Sequence, residues 1–166
     1  LEHTWRDNGW KWNVGVGYQN ATFTNNTYNR IVTASGEEIE IDFNSELNLN
    51  RYSVFSQLSK SLLKNRLTLS GGIRTDFSDF NSEMLNPLEQ LSPRIAASLS
   101  LAPKWSLNTS IGRYFQIPPY TILGYRDASG KLVNKDLGID YIRSDHFVAG
   151  VEYLSTKNSK ITVEGF

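Results

Sequence analysis

Residues 92–115 read SPRIAASLSLAPKWSLNTSIGRYF, and this stretch decides the fold class. Up to Ala102 it alternates, with Ile95, Ala97, Leu99 and Leu101 on one side and Arg94, Ala96, Ser98 and Ser100 on the other. After Pro103 and Lys104 the alternation resumes: Trp105, Leu107 and Ile111 oppose Ser106, Asn108, Ser110 and Gly112. A period of two places successive side chains on opposite faces of a strand, whereas a helix needs apolar residues three and four apart. Pro103 presets its own φ for a turn. The stretch is a hairpin with one apolar and one polar face.

The same two-faced pattern recurs outward from this hairpin. In WKWNVGVGYQ, Trp10, Trp12, Val14, Val16 and Tyr18 oppose Lys11, Asn13, Gly15, Gly17 and Gln19. RYSVFSQLSKSLL sets Tyr52, Val54, Leu58 and Leu62 against Arg51, Ser53, Gln57, Ser59 and Ser61. RLTLSGGIRTDF sets Leu67, Leu69, Ile73 and Phe77 against Arg66, Thr68, Ser70, Arg74 and Asp76. HFVAGVEYL and ITVEGF complete the series, with Phe147, Ala149, Val151 and Tyr153 and then Ile161 and Val163 in phase. About seven strands are predicted. The segment Glu37 to Leu49 also alternates, through Ile39, Ile41, Phe43, Leu47 and Leu49, and would extend the second strand well beyond a bilayer's thickness.

The joins alternate between short and long. Turns are expected at Arg6 to Gly9, Leu63 to Asn65, Pro103 and Lys104, and Thr156 to Ser159; long connections are expected at Thr24 to Glu37, Ser78 to Pro93 and Gln116 to Arg143. Asp7-Asn8-Gly9 supplies residues tolerant of positive φ. In an up-and-down antiparallel sheet this order puts every long loop on one side, as in outer-membrane barrels, and a Greek-key sandwich has no reason to keep it. Trp10, Trp12, Trp105 and Tyr153 fall at the short-turn ends of the apolar faces, where a headgroup-level aromatic belt belongs. The expected class is all-β: an antiparallel up-and-down meander, a partial segment of a large transmembrane β-barrel.

Composition removes other classes. Lys+Arg 17 balance Asp+Glu 17, so no net field steers nucleic acid, and no nucleic-acid partner is expected. With Cys 0 there is no disulfide framework or thiolate chemistry, and His3 and His146 are too few and too distant for a metal site. No run approaches the roughly 20 apolar residues of a membrane helix. Mean hydropathy of -0.39 does not argue against a membrane barrel, because alternating strands dilute their apolar residues. The first residues, LEHTWRDNGW, lack the pattern of a secretion signal and read as mature or excised material.

The run SPRIAASLSLAPKWSLNTSIGRYFQIPPYTIL resembles a stretch of the barrels of TonB-dependent outer-membrane receptors. Pro93 and Arg94 match the strand opening; Gly112, Arg113, Tyr114 and Phe115 match its close, with Pro118 and Pro119 in the following loop. The resemblance implies a barrel of about 22 strands filled by a plug. It implies ligand capture by outer loops and plug apices, and transport driven through contact with TonB. Neither a plug nor a TonB box is visible in residues 1–166, which therefore read as an internal fragment of such a barrel, about a third of one. Phe166 reads as an internal position, since the in-phase Glu164 and Thr162 are polar.

No catalytic arrangement emerges: Glu37 and Glu38, and Asp76 and Asp79, fall in loops or at strand ends, and the isolated His146 reads as a wall or loop residue. No enzyme, cofactor or metal is expected. The candidate ligand-binding residues are Tyr120, Tyr125, Arg126 and Asp127 in the longest loop, where aromatic surface and charge combine. Arg74 and Arg94 are expected to face the lumen and the missing plug. The implied partners are the plug and remaining strands of the same protein, TonB through the full-length receptor, outer-membrane lipid, and a small-molecule nutrient such as an iron chelate, vitamin or glycan. The implied location is the bacterial outer membrane. A soluble β-sheet module for ligand binding or adhesion is the alternative, and a complete small outer-membrane barrel ranks last.

Overall fold

The structure, a computed structural model, describes residues 1–127, 129–155 and 159–166, with only the backbone considered at Asn29, Ile41 and Phe43. The described residues form one antiparallel sheet whose eight strands follow chain order. They are β1 (Glu2–Asp7), β2 (Trp10–Val32), β3 (Glu38–Leu62), β4 (Leu67–Ser78), β5 (Ser92–Ala102), β6 (Trp105–Gln116), β7 (Ile142–Leu154) and β8 (Lys160–Gly165). Three one-turn helices, α1 (Ser82–Leu85), α2 (Tyr120–Leu123) and α3 (Val133–Asp136), lie in the long connections. The eighth strand is β1. It escapes the periodicity because Trp5 is the one large apolar side chain on its outer face.

Register carries the two faces across the sheet. Trp5, Trp12, Leu58, Gly71, Ile95, Ile111 and Phe147 pair in succession along one row. The adjacent row is Thr4, Asn13, Gln57, Gly72, Arg94, Gly112 and His146. Neighbouring residues on a strand point oppositely, so the first row is the apolar face and the second the polar one. Nothing among the described residues covers the apolar face: Ile95, Ile111 and Phe147 are 65%, 57% and 62% exposed. A soluble sheet would bury them. The apolar row starts near the short turn in β1 and β2 and lies well away from it in β6 and β7. Such a stagger is the tilt of strands in a barrel wall.

Aromatic side chains bound this face at both ends. At the short-turn end Trp105 packs on Tyr153 with centroids 4.8 Å apart, Lys60 lies 4.6 Å over the Trp10 ring, and Trp12 Nε1 donates to Ser56 Oγ at 2.9 Å. At the other end Tyr18, Tyr52 and Phe77 form a continuous row, with ring spacings of 5.5 and 5.3 Å. From Trp10 to Tyr18 is roughly 26 Å of strand, or roughly 20 Å of height at a tilt of about 40°, near the apolar thickness of an outer-membrane barrel. On β6 and β7 the band ends where Arg113 pairs with Asp145 at 2.8 Å.

The hairpin of β2 and β3, 23 and 25 residues long, continues past this boundary with unbroken pairing from Trp10↔Lys60 to Val32↔Glu38. The expected long connection from Thr24 to Glu37 is therefore mostly ribbon, and the join is Thr33 to Glu37. The reading failed because this part carries few large apolar residues. Beyond Asn50 both faces change character. The outer side becomes an amide and hydroxyl ladder, with Asn20 donating to Asn50 at 3.0 Å and Thr22 to Asn48 at 2.7 Å. The inner side, polar lower down, now carries Phe23, Leu47 and Leu49. Leu47 and Leu49 join Phe80, Met84, Leu123 and Tyr141 in the buried core, which is built from the ribbon and the two long loops.

The short turns lie on the opposite end, as expected; the one read at Thr156 to Ser159 falls on 156–158, outside the described residues. In the turn after β3, Leu63, Lys64 and Asn65 hold φ of 52, 54 and 67° in succession. Left-handed backbone costs a non-glycine residue roughly 1–2 kcal/mol. Lys64→Gly is therefore expected to stabilise the full-length barrel by about 1 kcal/mol after allowing for glycine's larger unfolded entropy. The shift in urea midpoint in lipid vesicles measures it.

Candidate functional site

The loop from Ile117 to Tyr141 lies against the ribbon and the loop from Asp79 to Leu91. Its base is fixed by small residues and backbone acceptors. Ser45 Oγ donates to the Gly124 carbonyl, and a Cβ at Gly124 would lie 3.0 Å from the Tyr120 carbonyl and 3.3 Å from Ser45 Oγ. Asn81 accepts from Met84 N at 2.8 Å as the cap of α1 and donates to the Ile139 carbonyl at 2.8 Å, so one side chain ties both loops. Gln90, fully buried, donates to Asp140 Oδ1 at 3.0 Å.

The four loop residues singled out in the sequence occupy different parts of this assembly. Tyr120 sits at the base, its ring 6.0 Å from Phe23. Tyr125 is half exposed, and its carbonyl accepts from Val133 N at 3.1 Å. Arg126 donates to the Gly130 carbonyl at 2.6 Å and to the Glu46 carbonyl at 2.9 Å, fastening the loop tip to β3. Asp127 Oδ1 accepts from Ser129 N at 2.9 Å, Ser129 Oγ at 2.6 Å and Lys131 N at 3.0 Å. Those bonds, led by the Ser129 hydroxyl, hold the Asp127 carboxyl below its usual range. A depressed carboxyl adds to loop order above its unfolded pKa near 3.8, and that contribution is lost as pH falls through the lower folded value.

Arg74 and Arg94 lie on the polar face. Arg74 forms a two-pronged pair with Asp76, both contacts at 2.6 Å. The Arg94 guanidinium lies 4.2 Å over the Tyr114 ring, which is 5.0 Å from His146. Both arginines, with Phe55, Gln57 and Gly72, line a cleft of about 350 Å³ across β3 to β6. Gly72 keeps it open, since a Cβ there would meet the Ser56 carbonyl at 3.0 Å. His146 shares a 2.6 Å contact with Ser144 Oγ, and no described His, Asp or Glu residues group so as to hold a metal.

Two polar residues were missed. Arg51, on the polar face beneath the loop core, donates through Nη1 to Gln19 Oε1 at 3.3 Å and Tyr120 Oη at 3.4 Å. Tyr141 is buried, and neither its hydroxyl nor Gln90 Oε1 meets a partner among the described residues. Burial pushes the Tyr141 phenol up to about 12, against the opposing charge of Arg51. Arg51 reads as one more polar strand position, and Tyr141 as the end of a loop, so periodicity marks neither.

Comparison with known proteins bears on this arrangement. The family model described as "TonB dependent receptor-like, beta-barrel" matches residues 1–166. Among solved structures the chain is similar to the copper transporter OprC, at 20% identity and a TM-score of 0.63, over 93% of this chain and 26% of that one. At that identity the likeness concerns the fold, and this chain spans about a quarter of the solved protein's length. No curated protein matches by sequence.

Proposed function

Because the chain belongs to the TonB-dependent receptor β-barrel family, we propose that it supplies wall strands and surface loops to a bacterial outer-membrane receptor that imports a scarce nutrient. The observation that carries this reading is the exposed apolar face, bounded by aromatic rows and giving way to a hydrophilic ribbon above them. On this reading the polar face lines the lumen, with Arg74 and Arg94 toward a plug supplied by the rest of the same protein. Residues 1–166 form an internal part of the barrel without that plug. TonB engages the full-length receptor and drives transport; neither catalysis nor a resident cofactor has a part in it.

The loop from Ile117 to Tyr141 takes part in capturing the nutrient. Tyr125 offers the half-exposed ring, Arg126 and Asp127 hold the tip that presents it, and Tyr120 anchors the base. The nutrient is an iron chelate, a vitamin, a glycan or another scarce solute. Cells carrying the full-length receptor, with and without TonB, are to be grown with iron, copper, cobalamin or glycan limiting in turn. A TonB-dependent advantage is expected for one of them, with Tyr125→Ala raising its half-saturating concentration about tenfold, the scale of losing a binding tyrosine. No TonB-dependent advantage under any condition would sink the import reading.

A further inference from the structure

Arg51 stands at the level of the upper aromatic row but on the opposite face, directly below the loop core. It lines a recess of about 230 Å³ with Gly17, Gln19, Ser53, Arg74 and Asp76. Gly17 keeps the floor low, because a Cβ there would come within 2.5 Å of Ser53 Oγ. The charges around it are unequal. Asp76 is spent on both prongs of Arg74, while Arg51 has no carboxylate within ion-pair distance among the described residues. Its two hydrogen bonds go to neutral oxygens and are long, and its remaining N–H groups meet no acceptor among the described residues.

A phenol adjoins Arg51. Tyr120 Oη accepts from Arg51, which leaves its own proton to donate elsewhere. A guanidinium fork with uncommitted donors, beside a hydroxyl able to donate, fits the planar or tetrahedral oxygens of an oxyanion, and such charge-assisted bonds are about twice as strong as neutral ones.

We propose that this recess binds a small solute through a carboxylate or phosphate group, held by Arg51 and the hydroxyl of Tyr120 beside it. The inference rests on the import reading, since it names the chemical class of what passes the loop assembly. Its position suits a transit site: an imported solute would meet it after the loops and before the lower wall. The long, neutral bonds of Arg51 can be exchanged for an anion without breaking an ion pair.

The test is calorimetric titration of citrate and of inorganic phosphate into the detergent-solubilised full-length receptor, which requires no TonB. Saturable binding of at least one anion is expected, weakened about tenfold or more by Arg51→Gln. Arg51→Lys should fall between, because an ammonium lacks the fork. Tyr120→Phe should weaken binding at least about threefold, the scale of one hydrogen bond. Arg113→Gln, on the opposite face, should leave it unchanged. Gel mobility of the unheated, folded barrel controls for misfolding, and Arg51→Lys and Tyr120→Phe keep the test alive should Arg51→Gln fail to fold. Lack of saturable binding, or affinities that Arg51→Lys and Tyr120→Phe leave within twofold, would overturn the proposal. So would a lower melting temperature for the Arg51 variants with anion binding unaltered, which would assign Arg51 to an acidic side chain elsewhere in the receptor. Arg51-dependent binding without TonB-dependent growth would sink the import reading alone; such growth without Arg51-dependent binding would sink this one alone.

Discussion

Val14→Arg is expected to destabilise the full-length barrel in a bilayer by about 2–4 kcal/mol, the cost of a basic side chain at the hydrocarbon midplane of a barrel wall. Val14 lies midway between Trp10 and Tyr18 on the apolar face, pairing with His3 and Ser56. Its side chain therefore has nowhere to go but lipid, and an arginine there is too far from either aromatic row to reach water without thinning the bilayer. Ala96→Arg is the matched control. Ala96 borders the cleft on the polar face, where the added guanidinium stays hydrated, and its cost should remain below about 1 kcal/mol. Reversible urea unfolding in vesicles of defined lipid measures both. Equal costs at the two positions would mean that the sheet does not separate hydrocarbon from water, and the transmembrane reading would fall with them.

Leu49→Ala should remove about 2–5 kcal/mol from the loop assembly, the range for a buried leucine that leaves a cavity. Leu49 is 1% exposed and packs with residues from both long loops, so its loss acts on the loop core beyond the upper aromatic row. The effect should be local. Amide hydrogen exchange across 79–91 and 117–141 should speed up by at least about thirtyfold, from the conversion of 1.36 kcal/mol per tenfold. Exchange in the wall strand Leu67–Ile73 should hold steady. Faster exchange throughout the wall would show that the loops and barrel open as one cooperative unit, against a loop core that packs apart from the wall.

The wall was readable because hydrocarbon on one side and water on the other impose a strict period of two. Residues 92–115 display it well, with the turn at Pro103 between the strands. Reading weakened wherever that contrast faded. The strand from Glu2 to Asp7 offers a single large apolar residue, and the ribbon beyond Thr24 is wet on its outer side, so it passes for a loop. The shift of apolar residues from even to odd positions between Tyr52 and Leu49 is present in the sequence. What Leu49 meets there is not, because Phe80, Met84, Leu123 and Tyr141 come from separate connections and are brought together by tertiary structure. Tyr120, Tyr125, Arg126 and Asp127 were identifiable as a loop cluster of aromatic and charged groups. Their division into base, exposed ring and tip fastening depends on backbone acceptors such as the Glu46 carbonyl, which no side-chain pattern encodes.

The change of facing at Asn50 also governs how the ribbon can vary in length. Residues gained or lost at the Thr33 to Glu37 tip leave every side chain below in its place, so the ribbon can grow or shrink there freely. One residue added between Leu49 and Tyr52 would reverse the orientation of everything on one side of the insertion, or force a bulge to absorb it. Length variation among descendants of this sequence thus belongs at the tip, while the junction tolerates replacement of residues but not a change in their number.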